Sequence, residues 1–120
     1  MDITIIVNDS PGQSRAAQTA LRFCRAALRR RHCIQQVFFY GEGVYQQLAS
    51  GSHDAGDPDL NQDWQQFASQ NGVPIIVCPA ATERRLPANW EARGNFEISG
   101  LAEFMELAAA ADRVVSFGGP

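Results

Sequence analysis

The sequence predicts an α/β protein: one domain over residues 1–120, three layers deep, with a mainly parallel sheet between helices. Two patterns point there. Short runs rich in Ile, Val and Phe alternate with longer stretches whose apolar residues recur every three or four positions, which is the signature of strand–helix–strand units. The runs are also apolar almost throughout rather than at every second residue, as in strands buried on both faces. A third feature gives the fold a focus. Val73-Pro74-Ile75-Ile76-Val77 ends in Cys78-Pro79, which places a thiol at the carboxyl end of a strand, where open α/β sheets gather ligands and reactive groups.

In chain order, residues 3–7 read as the first strand, and Asn8-Asp9-Ser10-Pro11-Gly12 is turn chemistry. A helix is expected over 14–31, with Ala17, Ala20, Leu21, Cys24, Ala27 and Leu28 on one stripe. Cys24 reads as a small core residue, and Arg15, Arg22, Arg25 and Arg29 as a solvated outer face. Cys33 is expected in the loop before strand two, which covers 34–40 and is broken by Gly41-Glu42-Gly43. One or two helical turns are expected over 44–49, then a polar loop over 50–59. Asp57-Pro58 reads as a helix start, Leu60, Trp64, Phe67 and Ala68 as the helix's apolar face, and Asn71-Gly72 as its left-handed end. Strand three is expected over 73–77, opening on Pro74 where a missing N–H costs nothing, followed by a polar loop over 82–95 with room for a helical turn. A last helix begins near Ser99 or Gly100, residues 112–117 form the final strand, and Gly118-Gly119-Pro120 reads as a frayed end.

Composition excludes several functions. All ten cations are Arg, so Schiff-base and phosphate-loop lysine mechanisms are out. A net charge of −3 supplies no global field for nucleic acid, and no direct nucleic-acid binding is expected. No apolar run approaches the ~20 residues a membrane span needs. The N-terminus shows no leader pattern, so a cytoplasmic, membrane-free protein is expected. Three cysteines without C-x-x-C spacing argue against a disulfide framework or a zinc site. His53, Asp54, Asp57 and Asp59 match no metal-loop spacing, and the lone His32 reads as a surface residue. The first βα turn lacks a phosphate-binding fingerprint. No metal or cofactor is expected.

Cys78 is left with three readings. It is a nucleophile and sulfur carrier, an acyl-transfer nucleophile, or a buried filler. The acyl-transfer reading needs a histidine base that His32 and His53 are poorly placed to supply. Sulfur carriage needs only an accessible thiolate, some positive potential and a docking surface. Arg84 and Arg85 follow closely, and a cation beside a thiol favours the reactive thiolate. Spacing alone favours the filler.

Resemblance reorders these readings. Val37-Phe38-Phe39-Tyr40-Gly41-Glu42-Gly43-Val44-Tyr45, Asp59-Leu60 with Trp64, and Cys78-Pro79-Ala80-Ala81 with Arg84-Arg85 resemble, in order, the signatures of the DsrE/TusD family. Gly100-Leu101 and Asp112-Arg113-Val114-Val115-Ser116-Phe117 complete the likeness over essentially the whole chain. Pro79 directly after the cysteine, and Leu86-Pro87 where a glycine is expected, depart from the family pattern. The resemblance implies a DsrE-like fold and a sulfurtransferase subunit carrying a persulfide on Cys78, with Arg84 and Arg85 in support. It implies two related subunits (TusB/TusC- or DsrF/DsrH-like) in a heterohexamer, a TusA-like sulfur donor and a TusE/DsrC-like acceptor. The sulfur would serve 2-thiolation of the tRNA wobble uridine or cytoplasmic sulfur oxidation. Two alternatives stay open: a non-catalytic structural subunit with an inert Cys78, and a flavodoxin-like nucleotide-binding domain. The aromatic end of strand two, with Val44 and Tyr45, is expected to contribute to subunit contact.

Overall fold

The structure is a computed structural model, and it describes residues 1–48, 59–92 and 94–119. Five parallel strands form one sheet: β1 (Asp2–Val7), β2 (Cys33–Phe39), β3 (Ile75–Val77), β4 (Phe96–Ile98) and β5 (Arg113–Phe117), in the order β4-β3-β2-β1-β5. The helices are α1 (Ala16–Arg29), α2 (Leu60–Asn71), α3 (Pro79–Arg85) and α4 (Leu101–Ala110), and a 3₁₀ segment spans Gly41–Gln47.

Strand order dictates the layers. From β1 to β4 the chain steps in one direction, so right-handed crossovers put α1 and α2 on the same face. The return to β5 reverses that direction and carries α4 to the opposite face. Side chains agree with this. Phe39 meets Trp64 of α2 edge to face at 5.2 Å, while its neighbour Phe38 stacks on Phe104 of α4 at 4.5 Å. The α1/α2 face is packed with Ile5, Val7, Val37, Phe39 and Ile75, all fully buried. The α4 face is thinner. Phe104 is the buried residue of that helix, and Leu101, Met105 and Leu107 are exposed large hydrophobics.

Local chemistry explains the helix limits. Asp59 caps α2 by accepting from the Gln62 N–H at 3.2 Å, and Gly72 ends it at φ 64°. The start read at Asp57-Pro58 lies outside the described residues. The α1 stripe is buried as expected, and Cys24 sits in it without exposure.

Several expectations are corrected. Cys33 is not in a loop but is the exposed first residue of β2, pinned by its N–H to Met1 O at 2.8 Å. Helical geometry starts at Gly41 rather than 44. The stretch after Cys78 is not a loop: Pro79 opens α3. Phe96-Glu97-Ile98, where the sequence predicts no strand, forms β4. The C-terminal glycines are held rather than frayed, since Gly119 N–H donates to Asp9 Oδ1 at 3.1 Å. Phe38, Phe39 and Val44 are buried in the core, so they supply no surface for a subunit contact; Tyr40 alone of that aromatic end is strongly exposed.

Candidate functional site

β2 and β3 end side by side, with Phe39 opposite Val77. Each strand then turns into a short helical segment, and Cys78 stands at the second of these turns. Its N–H donates to Phe39 O at 3.2 Å, which extends the β2–β3 ladder by one bond. Its carbonyl accepts from Thr82 N–H at 3.0 Å, which starts α3. Cys78 is therefore the N-cap of α3, with no side-chain capping bond, and Pro79 fits the first helical position because no N–H is needed there.

Cys78 is only 4 % exposed, yet it is not sealed in hydrocarbon. It lines a recess of about 320 Å³ together with Tyr40 from the end of β2, Ala80, Arg84 and Arg85 from α3, and Leu101 from the start of α4. Both arginines singled out from the sequence thus share a cavity with the thiol. Their settings differ. Arg85 donates from Nε to Glu42 Oε1 at 3.3 Å and from Nη1 to Ala81 O at 3.2 Å, which folds its side chain back along α3 and across to the 3₁₀ segment. Arg84 lines the recess without entering that pair.

Two residues to which the sequence assigns no role support this geometry. Glu42 holds Arg85. Gln47 donates from Nε2 to Thr82 Oγ1 at 3.3 Å and accepts from Trp90 Nε1 at 2.7 Å. That buried amide ties the 3₁₀ segment to α3 and to the segment following it. No local pattern reveals either residue's contacts, because their partners lie 35 and 43 positions away.

The other candidates lie elsewhere. His32 is at the amino end of the sheet, its Nδ1 3.1 Å from the N-terminal amine. Asp59 is a helix cap. His53, Asp54 and Asp57 fall outside the described residues. Among the described residues, no three His, Cys, Asp or Glu side chains converge as metal ligands, and no helix is long and apolar enough to cross a membrane.

Comparison with known proteins is consistent with this geometry. The model of the DsrE/DsrF-like family matches residues 1–117. The chain belongs to that family. Sulfurtransferase TusD of Cronobacter sakazakii is 36 % identical over 128 residues, covering 98 % of this chain and all of its own length. A protein of Allochromatium vinosum carrying the DsrE name is 34 % identical over 129 residues, covering 98 % and 99 %. The crystal structure of the ychN protein from E. coli superimposes with a TM-score of 0.82 at 21 % identity, covering 98 % of this chain and 99 % of that one. That likeness shows the DsrE-like three-layer fold. The sulfurtransferase naming of curated relatives agrees with the transferase class expected from the sequence.

Proposed function

We propose that this DsrE/DsrF-like chain is a sulfur-relay sulfurtransferase, a single domain over residues 1–120 that carries sulfur as a persulfide on Cys78. The Cys78 thiolate attacks the outer sulfur of an incoming persulfide, R–S–SH. A Cys78 Sγ–S bond forms, the donor's S–S bond breaks, and R–S⁻ leaves. The products are Cys78–S–SH and the donor thiolate, with no net oxidation. A second thiolate then takes the outer sulfur by the same exchange.

The observation that carries this reading is the recess: a thiol at a strand's carboxyl end, walled by two guanidinium-bearing residues and open to a ligand. Arg84 and Arg85 are the supporting residues. Sulfur arrives from a TusA-like donor and leaves to a TusE/DsrC-like acceptor. Two related subunits complete a cytoplasmic heterohexamer, and the sulfur serves tRNA 2-thiolation or sulfur oxidation. Neighbouring genes for tRNA modification or for sulfite-reductase-type enzymes separate those two ends.

Intact-mass measurement after incubation with a persulfide donor tests the reading. One added sulfur in the wild type, lost in Cys78→Ser, is expected; equal loading of the mutant rejects it. The 4 % exposure of Cys78 favours one rival, a structural subunit with an inert thiol. That rival predicts that iodoacetamide labels Cys78 no faster than the buried Cys24.

A further inference from the structure

Beside the Cys78 recess lies a larger cavity of about 660 Å³, and the two share Tyr40, Gly41, Arg85 and Leu101 as common wall. It opens over the carboxyl ends of β1, β2 and β5, where the strand order reverses direction, the place where open α/β sheets bind small molecules. Its volume falls in the range of small-molecule sites, roughly 300–1,000 Å³. The floor is apolar, from Ile6, Phe38 and Phe104, and the rim is polar, from Asn8, Gln13 and Ser116.

The rim is built rather than incidental. Asp9, 6 % exposed, accepts from Ser14 Oγ at 2.6 Å and from Gly119 N–H at 3.1 Å, which clamps the chain after β5 against the turn after β1. Gly118 at φ 116° has no room for a side chain: a Cβ there would lie 2.8 Å from Asp9 Oδ1. On the shared side stand one anion and one cation. Glu42 faces the larger cavity, and Arg85 faces both. Their mutual pair is at the surface, with side-chain exposures of 48 % and 24 %, and such a pair contributes little net stability. Exchanging it for two pairs to a ligand is therefore cheap.

We propose that this cavity binds a low-molecular-weight thiol of the amino-acid or short-peptide class, as a zwitterion. The ligand's ammonium pairs with Glu42 and its carboxylate with Arg85, and its sulfur reaches the recess beside them. When the ligand is a persulfide, R–S–SH, the Cys78 thiolate takes its outer sulfur and R–S⁻ leaves. The transfer step rests on the persulfide-carrier reading above; the binding step does not.

The test uses S-methylglutathione, a thioether that cannot transfer sulfur, followed by NMR chemical-shift changes in the wild type and in Cys78→Ser. Both proteins are expected to bind, with shifts centred on the amides of Asn8, Tyr40, Glu42 and Gly119. Glu42→Gln and Arg85→Gln are each expected to weaken binding about tenfold, as loss of a charge-assisted bond does. Ser116→Trp, which fills the cavity from an exposed rim position, is expected to abolish binding. Glutathione persulfide is expected to load wild-type Cys78 and to load Ser116→Trp far more slowly. No shifts at millimolar ligand, or shifts elsewhere on the chain, overturn the proposal even if a protein-borne persulfide loads Cys78. Binding at the cavity with no loading of Cys78 from any donor overturns the transfer step together with the carrier reading.

Discussion

Cys24 and Cys78 are both buried, and their surroundings separate them. Burial among the α1 stripe pushes the Cys24 thiol up to about 12, with Arg25 offsetting only part of that rise. The native protein therefore keeps the Cys24 proton at pH values where the unfolded chain, near its ordinary 9.0, has lost it. Stability from this group is whole below pH 9.0 and falls as pH climbs toward about 12. A shift of that size corresponds to about 4 kcal/mol. Urea unfolding across the window is expected to show a shallower alkaline decline for Cys24→Ala than for the wild type; parallel curves contradict it. Cys78, by contrast, has a cavity beside it. The sequence singled out Cys78, Arg84 and Arg85, which lie within eight positions, and the fold brings all three to one recess. The sequence could not identify Glu42 or Gln47, whose roles come entirely from contacts across the fold.

Elements were legible where a period or a cap spoke. The 3.6-residue stripe of α1 and the Gly72 end of α2 are local signals, and they stand where expected, whereas the cap of α2 is Asp59 rather than the Asp57 that the sequence suggests. Asp59→Ala is expected to cost about 1 kcal/mol in denaturant unfolding, as loss of an N-cap bond does. The α3 helix was misread because Pro79 signals a break, yet proline is equally at home in a first helical turn, where no N–H is spent. The β4 strand was missed because it has three residues and shows only Phe96 to the core, so no alternation could develop. The 3₁₀ segment was read as starting late because Gly41-Glu42-Gly43 looks like pure turn. Gly43 is there for a close approach: a Cβ would lie 2.0 Å from Val7 O. Gly43→Ala must push the segment that carries Glu42 away from β1. A loss of about 2 kcal/mol or more is expected, as for overpacking elsewhere, with slower loading of Cys78; unchanged stability contradicts the contact.

The whole molecule is lopsided. Among the described residues, α1 and α2 cover one face of the sheet and α4 covers the other, with Leu101, Met105, Leu107 and Val114 exposed. The proposed hetero-oligomer needs an apolar contact surface, and this face, rather than the aromatic end of β2, has one. Met105→Glu is expected to lower co-purification with the sister subunits while shifting the isolated chain's stability by no more than about 0.5 kcal/mol, as for other surface changes. Intact assembly in that variant counts against the face. Leu101, 48 % exposed, also walls the Cys78 recess, so whatever covers α4 borders the thiol as well. The fold thus offers sulfur two addresses. Cys33 is the exposed thiol, at the amino end of the sheet; Cys78 is the recessed one, at the carboxyl end. Peptide mapping of the wild-type chain after limited persulfide treatment decides between them most directly. Sulfur on the Cys78 peptide, with the Cys33 peptide bare, is the result that selection by the recess predicts. Sulfur on Cys33 with Cys78 untouched would mean that exposure alone chooses the thiol, and the account would fail.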